Sequence, residues 1–152
     1  MKSTVKIRAF RNKDREELLN ILKQNVPSYF AEEEIEDYKN FLDESVQKYF
    51  IAEVDKKIVG AGGINFQKEN RMARISWDFV SPEYQNQGIG SKLLKHRLAL
   101  LDSMETIETI MVRTSQMAYK FYQKNGFVLK EIHKDYWADG YDMYKLVYKE
   151  PS

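Results

Sequence analysis

The sequence predicts a single α/β domain built on a mixed, mostly antiparallel sheet with helices on both faces. Three observations predict it. Stretches of alternating apolar residues are interleaved with stretches of helical spacing, in the order β-α-α-β-β-β-α-β-α-β-β. The chain has 152 residues, which suits one domain over 1–152, and folding at that length removes roughly 68–70% of the unfolded chain's surface from water. A polar turn carrying Gly88 and Gly90 joins a strand directly to a helix, and the rest of the chain is arranged around it. No repeat, low-complexity tract or linker-like stretch divides the sequence.

Residues 4–10 alternate, with Val5, Ile7 and Ala9 against Lys6 and Arg8, and read as the first strand. Asn12 or Asp14 caps the helix that follows, whose apolar face is Leu18, Leu19, Ile21 and Leu22, and Val26-Pro27 ends it. A second helix runs from Ala31 to Val46, with Ile35, Tyr38, Phe41, Leu42 and Val46 on one side. Its acidic start, Glu32-Glu33-Glu34, suits the positive end of the helix dipole. It reads either as a solvated helix end or as an electrostatic lure for a cation.

Tyr49 to Val54 is a strand, Asp55-Lys56-Lys57 turns the chain, and Lys57 to Phe66 returns as its partner. Gly60, Gly62 and Gly63 thin the side-chain cover of that partner, which marks a bulge or a close approach. After a turn at Lys68-Glu69-Asn70 comes a strand ending at Val80, with Ile75, Trp77 and Phe79 on one side. Pro82, lacking an N–H, closes it. Ile89, Leu93, Leu94, Leu98 and Leu101 mark a helix to about Met104. Thr106 to Val112 is a strand, and Ser115 to Lys124 is a short helix stopped at Asn125-Gly126. Phe127 to His133 and Tyr141 to Tyr148 are the last strands, around a loop from Lys134 to Gly140.

Composition excludes several classes. Lys+Arg is 24 against Asp+Glu 23, a net charge of +1, which argues against a dedicated nucleic-acid binder. With no cysteine there is no disulfide, thiolate metal site or cysteine nucleophile. His96 and His133 are far apart in the chain, which argues against a metal site. No apolar run reaches the ~18–20 residues of a membrane span and the start carries no apolar signal core, so the expectation is a soluble, cytoplasmic protein.

The first amides of a helix lack internal partners and the dipole is positive there. Gln85 to Ser91 therefore has the chemistry of an anion cradle, with glycines at 88 and 90 removing side chains that would keep a phosphate away. A Rossmann fingerprint needs a third glycine where Leu93 stands. A P-loop needs Gly-Lys-Ser/Thr, and Gly90 is followed by Ser91-Lys92. What remains is Val80-x-Pro82-x-Tyr84-Gln85-x-x-Gly88-Ile89-Gly90-x-x-Leu93-Leu94. It resembles the strand–loop–helix signature of the GNAT superfamily of acyl-CoA-dependent N-acetyltransferases. Ala118-x-x-x-Tyr122-x-x-x-Gly126-Phe127 resembles the same family's later helix and strand. The likeness in element order covers nearly the whole chain.

That resemblance implies direct transfer of an acetyl group from acetyl-CoA to a primary amine, with no metal. It assigns the pyrophosphate to Gln85, Gln87, Gly88, Ile89, Gly90 and Ser91, and backbone pairing with the pantetheine arm to Phe79 and Val80. Lys92 and Lys95 read as contacts to the 3′-phosphate or as a solvated helix face. Tyr122 is implied as the acid that protonates the leaving thiolate, or is a core tyrosine. Ser115, standing where the family usually has an asparagine, is carried over as a cofactor contact. Many relatives carry a glutamate base where this chain has Arg74 and Ile110 or Met111. Asp78 is the nearest carboxylate, as base or as ion-pair partner. The segment Tyr136-Trp137-Ala138-Asp139-Gly140-Tyr141-Asp142 resembles the tyrosine-rich hairpin loop of ribosomal-protein N-terminal alanine acetyltransferases, which points to Tyr136 and Trp137 as acceptor contacts and to a peptide α-amine among the acceptors, beside polyamines, amino acids, lysines and aminoglycosides.

The expectation is therefore a monomeric or homodimeric N-acetyltransferase that binds neither nucleic acid nor membrane. One rival is a catalytically silent acyl-CoA-binding module. Another is a single-stranded nucleic-acid binder using exposed aromatics, which the near-zero charge disfavours.

Overall fold

The computed structural model describes residues 4–151; residues 1–3 and 152 of the span read as one domain lie outside it. The strands are β1 (Val5–Ala9), β2 (Lys48–Val54), β3 (Lys57–Gln67), β4 (Met72–Val80), β5 (Thr109–Thr114), β6 (Val128–Ala138) and β7 (Tyr141–Lys149). They form one sheet in the order β1-β2-β3-β4-β5-β7-β6. Every neighbouring pair is antiparallel except β4 and β5, which run parallel. Four α-helices cover the sheet: α1 (Arg15–Gln24), α2 (Glu34–Glu44), α3 (Ile89–Asp102) and α4 (Tyr119–Lys124).

Local chemistry explains the element ends. Asp14 caps the first helical segment: its Oδ2 accepts from the Arg11 N–H at 2.8 Å, and the Arg8 guanidinium holds both its oxygens at 2.8 Å. α2 begins three residues later than its apolar spacing suggests, because Glu34 folds back and accepts from the Ala31 N–H at 2.8 Å. Its acidic start is thus not wholly solvated: Glu34 is buried. α4 starts at Tyr119 rather than Ser115, since the Ser115 carbonyl closes a turn by accepting from Ala118 and Tyr119. β5 is shifted toward its C-terminus, to Thr109–Thr114, because Arg71 O takes the amides of Glu108 and Thr109 at its start. The predicted loop from Lys134 to Gly140 is mostly strand. Asp135, at φ +53°, makes an irregularity within β6, and its Oδ1 accepts from the Gly140 N–H at 2.7 Å across the turn.

One irregularity organises the centre of the sheet. Ala61 pairs with Phe79 and Gly63 with Ser76, so two residues of β4, Trp77 and Asp78, stand opposite Gly62 alone. This is a β-bulge, and Trp77 takes the left-handed φ of +49° to make it. The bulge breaks the expected alternation of Ile75, Trp77 and Phe79 on one face. Ile75 joins the apolar layer under α3 and α4, while Trp77 and Phe79 join the layer under α1 and α2. The strand thereby returns Asp78 to the α3 and α4 face.

Candidate active site

β4 and β5 pair only from Met72 opposite Thr109 to Ile75 opposite Val112. Beyond that the bulge carries β4 away while β5 stays with β7, and the sheet opens. The gap leads into a cavity of about 870 Å³. Of the residues singled out from sequence, Asp78, Phe79, Val80, Gln85, Gly88, Ile89, Gly90, Ser91, Ser115, Tyr122 and Trp137 line it. Gln87 and Tyr136 do not: Gln87 is exposed and reaches the Glu83 carbonyl at 3.3 Å, while Tyr136 is held outside by Arg113.

At one end lies the start of α3. Gly88 caps it at φ +81°, a conformation L side chains rarely adopt, and no atom lies within 4 Å of the Cβ position it leaves empty. Gly90 has a different reason. A Cβ there would meet the Phe121 ring at 3.3 Å, so this glycine also serves the approach of α4 to α3. Gln85 also turns inward, its Nε2 donating to Asn25 Oδ1 at 2.9 Å and to the Val80 carbonyl at 3.1 Å. The Ser81 N–H donates to Val59 O at 2.7 Å, so by antiparallel alternation the Val80 peptide faces the gap and the Phe79 peptide faces β3. Lys92, Lys95 and both histidines are exposed; His96 packs on Phe50 and His133 contacts Glu131.

In the middle sits a buried polar constellation. The Tyr122 hydroxyl, on a residue 4% exposed, donates to Asp78 Oδ2 at 2.6 Å. Asp78 Oδ1 lies 2.5 Å from Nη1 of Arg97, which is completely buried and also donates to the carbonyls of Leu93 and Gly63 at 3.0 Å each. The ion pair lacks hydrogen-bond alignment, so Asp78 Oδ1 and Arg97 Nη2 have no hydrogen-bond partner among the described residues. Gly62 makes the room: a Cβ there would stand 2.1 Å from Asp78 Oδ1 and 2.6 Å from Arg97 Nη2. Burial first, then the Asp78 charge and hydrogen bond, push the Tyr122 phenol well above its ordinary pKa, against a smaller opposite pull from Arg97. Arg97 escaped the sequence reading. Its signal was a charge at the i+4 position between Leu93 and Leu101, on the buried stripe of α3.

The far end of the cavity lies on the α1 and α2 side. Burial raises the Glu34 carboxyl to about 7, despite the Ala31 hydrogen bond that opposes it. Asp37 lies one turn further along, and Phe30, Trp77 and Trp137 supply aromatic wall. Trp137 donates through Nε1 to the Thr114 carbonyl at 3.0 Å. Arg74 of β4 and Arg113 of β5 also line the cavity. No cluster of three or more His, Asp or Glu side chains placed to hold a metal occurs among the described residues, and no helix there is long and apolar enough to cross a membrane.

A parallel pair splayed at a bulge, beside a glycine-capped helix, is the architecture of an acyltransferase fold. The profile of an acetyltransferase (GNAT) domain matches residues 45–129, more than half of the chain. The chain belongs to that family, and it is an N-acetyltransferase. An N-alpha-acetyltransferase of Sulfurisphaera tokodaii is 28% identical over 167 aligned positions, covering 93% of this chain and 90% of the relative. The fold is shared with the ribosomal-protein-alanine N-acetyltransferase from Escherichia coli, at TM-score 0.79 and 17% identity over 98% of this chain and 96% of that one. It is shared also with an aminoglycoside 6′-N-acetyltransferase complexed with coenzyme A, at TM-score 0.76 and 14% identity over 95% and 96%.

Proposed function

We propose that this enzyme takes its acetyl group from acetyl-CoA and transfers it directly to a primary amine, with a peptide α-amine as the leading acceptor. The observation that carries the reading is the opening between β4 and β5, with the Gly88 helix start at one end and Tyr122 at its floor. The residues fit the cosubstrate. The amides at the start of a helix of 14 residues suit a pyrophosphate, and the Val80 N–H, on a residue whose carbonyl is taken by Gln85 and Asn25, suits an arm that extends the sheet. The relatives named N-alpha-acetyltransferase support an α-amine. Chemistry supports it too: an α-amine of pKa about 7.7–8.0 is ~10–20% neutral at pH 7, against ~0.04% for a lysine.

The neutral amine attacks the thioester carbon; the C–N bond forms and the C–S bond breaks. The amine then has one proton too many and the sulfur one too few. Asp78 accepts the amine's proton and Tyr122 donates its own to the sulfur. The proton on Asp78 passes back along their 2.6 Å hydrogen bond to the Tyr122 oxygen. This order removes an energetic difficulty. A thiol such as cysteine has pKa about 8.5 and a phenol about 10, and the burial of Tyr122 raises the phenol further, so outright loss of the tyrosine proton is uphill. Once Asp78 is protonated, the charge that held the phenolic proton is gone. Arg97 holds the Asp78 side chain in place through their ion pair. A thiol-release assay with acetyl-CoA across peptides, amino acids, polyamines and aminoglycosides tests the reading; release with none of them would overturn it.

A further inference from the structure

The strand wall of the cavity carries charge that the fold leaves uncompensated. Arg8, Arg15, Arg71 and Arg97 each hold a carboxylate. Arg74 and Arg113, both half-buried and both lining the cavity, hold none. The Arg74 side chain makes no hydrogen bond or ion pair with any described residue, while its backbone pairs with Asn65 and Met111 in the sheet. Arg113 spends one nitrogen on the Tyr136 hydroxyl at 3.1 Å, and its guanidinium lies 5.9 Å from the centre of that ring, which fixes its direction.

The two guanidiniums stand on adjacent strands, on the same face of the sheet. Arg74 lies opposite Met111 on β5, two residues before Arg113, and the charge of Arg113 bears on Arg74. Two like charges that repel and are partly withdrawn from water cost stability unless something anionic joins them. Glu34 and Asp37, on α2, line the same cavity. The acceptor end of the cavity is therefore polarised, with carboxylates on the helix side and guanidiniums on the strand side.

We infer that the acceptor is an amine carrying a carboxylate close to it, the carboxylate held by Arg74 and Arg113 with the amine on the thioester side. This rests on the acetyl-transfer reading above and names its substrate class. Two sources share the chemistry: a peptide with an acidic residue at its first or second position, and a free amino acid. A planar, always charged guanidinium recognises a carboxylate through paired hydrogen bonds, which a lysine could not match.

The test compares kcat/KM, with saturating acetyl-CoA, for tetrapeptides that differ only by Glu or Gln, or Asp or Asn, at the first two positions. Free glutamate is compared with its α-amide in a parallel arm. The wild-type enzyme should prefer the acidic member by about tenfold or more, mainly through KM, as expected for a hydrogen bond to a charged group. Added salt should reduce the preference. In Arg74→Gln, and in Arg113→Gln, the acid-to-amide ratio should fall toward one. A preference in the peptide arm alone assigns the carboxylate to a peptide side chain; one in the amino-acid arm alone assigns it to a free amino acid. Equal rates within every wild-type pair overturn the inference while leaving acetyl transfer standing, and so does a preference that survives in both variants. No turnover of any amine overturns acetyl transfer itself.

Discussion

The Tyr141 hydroxyl donates to the Pro27 carbonyl across 2.9 Å, tying the β6–β7 hairpin to the segment between α1 and α2. Both tied segments contribute to the cavity wall, through Trp137 on one side and Tyr29 and Phe30 on the other. This end of the cavity is thus spanned by a ribbon anchored at two places, the second being the Trp137 bond to Thr114. Trp137→Ala removes wall and anchor together. It should raise the acceptor's KM several-fold and leave acetyl-CoA affinity unchanged. An unchanged acceptor KM would mean that the ribbon only packs on the sheet.

Glu34 gives a pH signature. Its carboxyl titrates near 4.5 when unfolded and about 7 when folded, so the folded state binds the proton more tightly. The fold carries no penalty at this site below about 4.5. The penalty grows as pH rises through 7 and is constant above it. Glu34→Gln keeps an acceptor for the Ala31 N–H and removes the charge. The variant should melt close to wild type at pH 5 and above it at pH 8. Identical differences at the two pH values would contradict the assignment.

Gly62→Ala probes the buried ion pair from outside it. The added methyl would stand 2.1 Å from Asp78 Oδ1, and the carboxylate must leave either Tyr122 or Arg97. Overpacking of this kind costs about 1–3 kcal/mol. The melting temperature should fall accordingly and kcat should fall with it, at unchanged acetyl-CoA affinity. Wild-type kcat in a folded Gly62→Ala enzyme would show that the position of Asp78 is immaterial to turnover.

At the helix start two substitutions separate shape from charge. Gly88→Asn keeps access to the positive φ and should retain the thermal shift given by acetyl-CoA, about 2.7 kcal/mol at 100 times Kd. Gly88→Glu adds a negative charge where a pyrophosphate would lie and should abolish it. A full response from Gly88→Glu would place the cosubstrate elsewhere.

The sequence displayed the order of elements because each carries its own period and its own stop signal. The turn into α3 and the Ala118-to-Phe127 segment were legible for the same reason: their patterns are local. The bulge was legible only in part: Gly60, Gly62 and Gly63 marked a bulge or a close approach, but its place depends on how Trp77 and Asp78 share one partner across the sheet. The packing role of Gly90 was not legible because its neighbour, Phe121, lies on another helix. Arg97 and Glu34 were hidden by residue type, since charged side chains are presumed solvated unless a partner can be named. Their partners, Asp78 and the Ala31 amide, follow from the fold.

The central claim is that the Tyr122 hydroxyl supplies the proton to the departing sulfur. The most direct measurement is kcat of Tyr122→Phe where chemistry limits the rate, with acetyl-CoA affinity and melting temperature measured on the same protein. Phenylalanine keeps the ring and removes the donor to Asp78. The account predicts kcat lower by on the order of 10²–10⁴, unchanged acetyl-CoA affinity, and a lower melting temperature from the loss of a hydrogen bond worth about 1.5–3 kcal/mol. A folded Tyr122→Phe enzyme with wild-type kcat would contradict it.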